Sequence, residues 1–342
     1  MKKIIVTIAA LACLTSCYEP FVKDFDKSAI YFTYQYDMRT MVVGEGAKFD
    51  ITACLGGVID NAIDRGVKVV VDDALVTADL SKFAPAGSEV SPFTAYDVFG
   101  GLTPDVGMLY HTDVQKTFAK YGLNGIKPLP SNYYTLSGID GLEIKKGSHQ
   151  GAITVSATDA MMSDSDCLSP MYAIGVQITD ADADEVLSGR NFAVITVRLE
   201  NMFYGNWYHG GSCEVYNASG SKVKEESYPF AIPQEDAKIY TLSTIAANAV
   251  KTDKYIQNKG SLILTFNGKN INITSDDLEL LPESRESYFN ESVLLQDREL
   301  HLNYTFKNAD GGKTVVSDIL YFRDRVRDGA REWQDEVPEH YK

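Results

Sequence analysis

The residues with the most obvious chemistry in this 342-residue chain are its carboxylates, its five histidines and a few spaced clusters. Asp180, Asp182 and Asp184 alternate as in a calcium loop. Glu185, however, stands where the turn glycine belongs, and Asn191 where the bidentate Glu belongs. A solvated hairpin tip is the better reading. His111, His149, His209, His301 and His340 show no His-x-x-x-His spacing and no clustered cysteine partner, so no metal site and no cofactor are expected. Ser221-Lys-Val-Lys224 has Ser-x-x-Lys spacing but lies in a turn, without companion motifs. Gly-x-Ser-x-Gly and P-loop motifs are absent. With 47 acidic residues some carboxylates fall at glycosidase spacing by chance. The chain is therefore read as non-catalytic. Its aromatic residues, 20 Tyr and 2 Trp among them, say more. Sugars stack CH faces on flat rings and take hydrogen bonds from Asn, Asp and Gln. Tyr96, Phe99, Tyr110 and Trp333 are the candidate rings, since they fall in loop-like stretches.

Cys17 is the one nucleophile whose surroundings assign it a role. Lys2 and Lys3 form a basic start and Ile4 to Leu14 an apolar run too short to span a bilayer. Leu14-Thr15-Ser16 then place small residues before Cys17. This tract resembles the lipobox of bacterial lipoproteins, which implies acylation of the Cys17 thiol and a mature chain beginning there. Acyl chains on one residue make a stable anchor at about 0.8 kcal/mol per buried CH₂. Tyr18 follows, unlike an inner-membrane retention signal, so the expected place is the outer membrane, facing the cell surface or the periplasm. Cys54, Cys167 and Cys213 remain in the body of the chain, an odd number with no assignable pairing.

Lys and Arg total 32 against 47 Asp and Glu, a formal charge of −15. Loss of residues 1–16 removes Lys2 and Lys3 and no acid, leaving −17. Such a field repels phosphate backbones, which argues against a nucleic-acid partner.

The elements that must position these residues read as β. Residues 17–27 are a polar tether. Tyr172, Ile174, Val176 and Ile178 alternate strictly, as do Ile30, Phe32, Tyr34 and Tyr36, and Val67, Val69 and Val71. Ala193, Ile195, Val197 and Leu199 supply another strand. Glycine-rich turns between such strands point to a β-sandwich over residues 28–200. Residues 74–127 interrupt it as a long insertion. Within the insertion Thr112 and Gln115 form a capping box, and Val114, Phe118 and Tyr121 line one helical face before Gly122. A loop of that length is more often functional than idle. A second domain spans 202–342. Asn267-Gly268 marks a hairpin between two apolar strands. Leu300, Leu302, Tyr304 and Phe306 alternate before Asp310-Gly311, and Val315 to Phe322 returns. Residues 323–342 read as a charged tail. The expected fold is all-β throughout.

Several of these tracts, in order, resemble a known family. They are Gly44 to Asp72 with Asn61 and Asp64, Leu129 to Leu136, Leu142 to Gly147, and Ala152 to Val155. Together they resemble the N-terminal domain of unknown function found in Bacteroidetes polysaccharide-utilisation lipoproteins. The resemblance covers roughly 28–200 and implies an Ig-like sandwich at the cell envelope, often placed ahead of glycan-binding modules. The second domain looks like an uncharacterised partner module. Gly205-x-Trp207 at its mouth is also similar to the entrance of a lipocalin-type barrel, in which a late-strand Arg, here Arg323 or Arg325, covers the Trp. A barrel, a second sandwich and an open sheet all remain open. Three functions follow: a glycan-binding or accessory lipoprotein, an envelope protein making structural or adhesive protein contacts, and a barrel carrying a small apolar ligand. The partners expected are a membrane through the lipid anchor, a polysaccharide or oligosaccharide, and an envelope protein.

Overall fold

A computed structural model describes residues 25–77, 79–83, 114–228, 238–256, 260–325 and 331–332. Alternating apolar residues give the first domain its strands: β1 (Ala29–Phe32), β2 (Tyr36–Val43), β3 (Lys48–Gly56), β4 (Arg65–Val71), β5 (Lys127–Pro128), β6 (Tyr134–Ser137), β7 (Leu142–Ile144), β8 (Gln150–Ala157), β9 (Tyr172–Ala181), β10 (Glu185–Val186) and β11 (Phe192–Asn201). One sheet runs β10-β1-β3-β8-β6, and the other carries β2-β11-β9-β4-β7. Ile30, Phe49, Ile51, Ile153 and Val155 of the first meet Ile174, Val176, Ile195 and Val197 of the second in one buried core. This is the sandwich the alternation called for.

The second sheet is buried on both faces where β2, β9 and β11 lie, which the single alternating pattern did not show. Met38, Ala173 and Val194 point away from the main core and are covered by Phe83, Val114, Phe118 and Ile126. The cover comes from the two described ends of the insertion, with residues 114–120 helical. Phe83 meets Phe118 and Tyr36 edge-on at 5.6 and 5.3 Å. These flanks are packing elements, and Gln115 acts as a tie: its side-chain amide donates to the Leu80 carbonyl at 2.8 Å. Thr112 lies outside the described residues.

The second domain comprises β12 (Gly205–Tyr216), β13 (Lys222–Tyr228), β14 (Ile239–Ala246), β15 (Ala249–Thr252), β16 (Ile263–Asn267), β17 (Asn270–Thr274), β18 (Leu280–Leu281), β19 (Tyr288–Phe289), β20 (Glu299–Lys307) and β21 (Lys313–Asp324). The Asn267-Gly268 turn joins β16 and β17 in the expected register. Pairing proceeds β12-β14-β15-β16-β17-β19-β20-β21, and β21 returns to β12 along its whole length. The domain is an eight-stranded antiparallel barrel. β13 extends the wall past the short β14, pairing with Gly211–Tyr216 of β12.

A ring of eight strands leaves an interior that side chains can fill, and here they do. Trp207 is fully buried, donates from Nε1 to the Phe203 carbonyl at 3.0 Å, and meets Phe322 edge-on. Phe203 in turn stacks on Phe266 with centroids 4.1 Å apart. Further in, Asp318 accepts hydrogen bonds from the Tyr228 and Tyr304 hydroxyls at 2.7 and 2.9 Å. His209 is sandwiched between the Tyr228 and Tyr240 rings. The Trp207-floored cavity that an apolar ligand needs is occupied by protein, so the carrier reading falls. The covering arginine is also corrected. A bulge sets Asn206 against Asp324 and Trp207 against Phe322, leaving Arg323 as the extra residue. Its guanidinium lies over Tyr208, at 5.7 Å, and not over Trp207. Arg325 sits over Tyr204 and Phe322.

The charged tail also differs from expectation. Residues Arg331–Glu332 form β22, which pairs in parallel with Arg39 and Thr40 of β2. The chain thus closes back on the first domain.

Between the domains lies a buried ionic cluster. Glu45 caps the β2–β3 turn between Gly44 and Gly46, both at positive φ. A Cβ at Gly44 would fall 2.4 Å from the Met202 sulfur, so only glycine allows this approach. Arg298, just before β20, and Arg325, just after β21, both donate to the Glu45 carboxylate, the latter at 2.8 Å. Arg325 also donates to the Met202 and Tyr204 carbonyls. Replacing Glu45 with Gln leaves two buried guanidiniums short of their counter-charge. The expected loss is ~3–5 kcal/mol. Calorimetry of the parent and Glu45→Gln proteins checks this; equal unfolding midpoints would refute it.

Candidate ligand-binding groove

Only two residues of β19 bridge β17 and β20, and the barrel wall opens beside them. The opening is a groove of about 310 Å³. Alternation along β17 sends Ile271 and Ile273 toward the barrel and leaves Asn270 and Asn272 outward and exposed. Across the opening β20 does the same, burying Tyr304 and presenting Asn303. The segment after β18 supplies the third wall, with Glu283, Arg285, Glu286 and Ser287. The result is an apolar floor with amide, carboxylate and guanidinium groups along its rim.

Most of the rim is held in place. The Asn303 side-chain amide donates to the Glu286 carbonyl at 2.7 Å, and its oxygen accepts from Ser317 Oγ at 2.8 Å. Arg285 grips Glu283 through two parallel bonds, Nε at 3.0 Å and Nη2 at 2.7 Å, and Thr305 donates to the same carboxylate. Such forked pairing fixes both side chains. Beside the groove the Tyr288 ring stacks on His301, with centroids 4.5 Å apart and planes 6° off parallel. Tyr288 pairs across the wall with Asn270 and stays 38% exposed. His301 is steadied by Glu299 at 3.0 Å. A held, partly exposed ring thus stands next to amides that offer both donors and acceptors. That combination suits hydroxyl-rich ligands with apolar CH faces.

The sequence pointed to none of these residues as part of a ligand site. The signal that held them is Asn270-Ile-Asn-Ile-Thr274, whose period of two sets both amides on one face. The sequence-based ring candidates Tyr96, Phe99, Tyr110 and Trp333, and the acylation candidate Cys17, lie outside the described residues. Gly205, Trp207 and Arg323 are at the barrel entrance and take no part in the groove. Asp180, Asp182 and Asp184 act as ties between strands: Asp180 to Lys68, Asp182 to the Gly66 amide, and Asp184 to the Ser28 amide and hydroxyl. Burial pushes the Cys167 thiol up to about 12 and raises that of Cys213. Both thiols stay protonated at neutral pH. His209 and Asp318 come within 3.0 Å of each other, yet both side chains are 1% exposed and sealed among tyrosines.

A second hollow of about 290 Å³ opens at the side of the sandwich between Tyr34, Asp50, Gln150 and Ile195. Its charged groups are engaged internally: Arg39 with Asp37 at 2.7 Å, and Asp50 with the Thr154 hydroxyl at 2.6 Å.

A family described as "-like, N-terminal domain" matches residues 87–185. No curated protein matches the sequence significantly. Among solved structures, a Bacteroides ovatus protein of unknown function superposes with a TM-score of 0.58 at 19% identity, covering 88% of this chain and 95% of its own. The likeness is one of fold. An auxiliary nutrient binding protein from Bacteroides thetaiotaomicron is also similar, at 14% identity over 87% of this chain and 94% of that one. Its TM-score is 0.38, too low to bear on the architecture or function of this chain.

The Arg285 hydrogen bonds hold the Glu283 carboxyl down at about 2, below its usual 4.5. The folded protein therefore binds this proton less readily than the unfolded chain does. The ion pair's stabilisation is complete above about pH 4.5 and is lost as pH falls toward 2. Acid denaturation of the parent and Glu283→Gln proteins should show a stability difference that shrinks through that window. A pH-independent difference would contradict the assignment.

Proposed function

We propose that this chain is a non-catalytic, lipid-anchored accessory protein of the cell envelope that binds oligosaccharide in the barrel-wall groove. The observation that carries the reading is the Tyr288 ring, stacked on His301 and paired across the wall with Asn270, next to a groove lined by Asn270, Asn272 and Asn303. Binding requires no bond-making group, only a flat ring and paired donors and acceptors. The anchor is Cys17, the membrane is the outer one, and the groove faces the cell exterior in this reading. The resemblance of residues 28–200 to polysaccharide-utilisation lipoproteins supports the same assignment.

A second reading, an envelope protein that makes structural protein contacts, has one feature in its favour. β13 pairs along one edge with β12, and six of its seven residues are exposed. Its Lys222, Lys224, Glu225 and Glu226 are the charges that ordinarily discourage edge pairing, which weighs against this reading.

Affinity electrophoresis and calorimetry against a panel of soluble polysaccharides test the first. At least one should retard the parent protein, and Tyr288→Ala should weaken binding about tenfold, since losing a ring contact costs ~1.4 kcal/mol. No retardation by any polysaccharide, together with a stoichiometric protein partner, would move the assignment to the second reading. The anchor is tested separately. Cys17→Ala should move the protein from the membrane fraction to the soluble one, and undiminished membrane partition would overturn the acylation.

A further inference from the structure

The chain enters the sandwich at one end and the barrel leaves it at the other. β3 runs from Lys48, next to the Glu45 cluster, to Gly56, which pairs with Ala29 at the start of β1. The end marked by Ala29 and Gly56 therefore lies a full strand away from the barrel junction. Nine extended residues give that separation as about 30 Å.

This entry end carries exposed apolar side chains on a fixed frame. Phe25 is 82% exposed and its backbone N–H donates to the Gly57 carbonyl at 2.9 Å. In the loop that follows Gly57, Ile59 is 50% and Ile63 55% exposed. The loop does not owe this to a lack of structure. Asn61 at its centre is fully buried and donates to the Lys145 and Ser148 carbonyls. It also accepts from Arg65 Nε at 3.0 Å. His149 Nε2 lies 3.1 Å from the Val58 carbonyl. Three large apolar groups are thus held toward water by a pinned loop, at a cost that folding alone does not return.

We infer that Phe25, Ile59 and Ile63 form a seat for the surface of the lipid bilayer. The inference rests on the reading of Cys17 as the acylated residue. Seven residues separate Cys17 from Phe25, and the eight steps span at most about 28 Å, so the acyl chains hold this end near the membrane. The charges around it are mixed and net acidic: Lys27, Arg65 and Lys146 stand among Asp26, Asp60, Asp64, Asp182, Asp184 and Glu185. That mixture suits a bilayer of weak net charge over a strongly anionic one. With the seat engaged, the sandwich is a strut that holds the barrel away from the membrane.

The test uses the lipidated full chain in vesicles of phosphatidylcholine and phosphatidylethanolamine, with brominated acyl chains as quencher. Ile63→Trp adds a fluorophore at the seat, and Val223→Trp adds one on β13 of the barrel. The parent signal, from Trp207 and Trp333, is subtracted. Bromine close to the headgroups should remove about half of the fluorescence added by Ile63→Trp, as for a side chain sunk into the headgroup boundary. It should leave the Val223→Trp signal unchanged. Vesicles that float with the protein but do not quench the Ile63→Trp signal overturn the seat and leave the anchor standing. A parent chain that fails to float with vesicles overturns the anchor reading, and the seat with it.

Discussion

The relative placement of the two domains depends on one carboxylate. Glu45 receives both Arg298 and Arg325 and is 4% exposed. Taking one anion and two cations out of water is costly, and burial accordingly lowers the Arg325 pKa against the pull of Glu45. Further hydrogen bonds offset part of that cost: the Met202, Tyr204, Ser292 and Val293 carbonyls also accept from the two guanidiniums. A few steps away Arg198 lies 3.5 Å from Glu200, and Thr244 of the barrel donates to Glu200. An apolar junction would tolerate sliding. A junction built from two guanidiniums on one carboxylate restricts the domains to one arrangement.

The proposed binding role follows from where the barrel wall is incomplete. Its interior is closed by Trp207, Tyr240, Tyr304 and Asp318 with their neighbours, and the hydroxyls on Asp318 satisfy a charge that would otherwise be stranded. Desolvation raises the pKa of Tyr228 and Tyr304 and keeps them as donors. Among the described residues, side chains fill the space above Trp207 that a ligand would need. What remains is the wall, and β19 at two residues is too short to seal β17 to β20. The groove is the consequence of that shortfall, and the forked Glu283–Arg285 pair gives it a firm rim.

Much of this was legible in the sequence, because period-two alternation specifies which face of a strand is buried. The strands around Tyr172, Ala193, Leu300 and Val315 appear where the pattern puts them, and Asn267-Gly268 turns the hairpin it promises. The errors have a common cause. Arg323 looked able to cover Trp207 because a residue count cannot reveal the bulge that turns it outward. Residues 114–120 read correctly as a helix, but its partners Met38 and Val194 lie far away in sequence, so its packing role was hidden. The return of residues 331–332 to β2 left no mark in a two-residue strand. The groove was missed for the same reason: Asn270, Asn303 and Arg285 meet only when the ring closes.

The charge on the groove constrains what enters it. Glu283 and Arg285 neutralise one another, which leaves Glu286 as the surplus charge of the rim within a chain of formal charge −15. A ligand bearing carboxylates or sulfates would meet repulsion both locally and from the whole molecule. An uncharged oligosaccharide would meet only dipoles. Each neutral hydrogen bond exchanged with water contributes about 1 kcal/mol, so a site of a ring and three amides binds weakly as an isolated molecule. Were it fixed to a surface in many copies, as proposed, it would not need to bind tightly. A polymer caught by one groove presents its next repeat to a neighbouring copy at high effective concentration, and avidity then exceeds the single-site affinity. A stiff junction at Glu45 aids that arrangement, because copies sharing one orientation line up their grooves along the same chain.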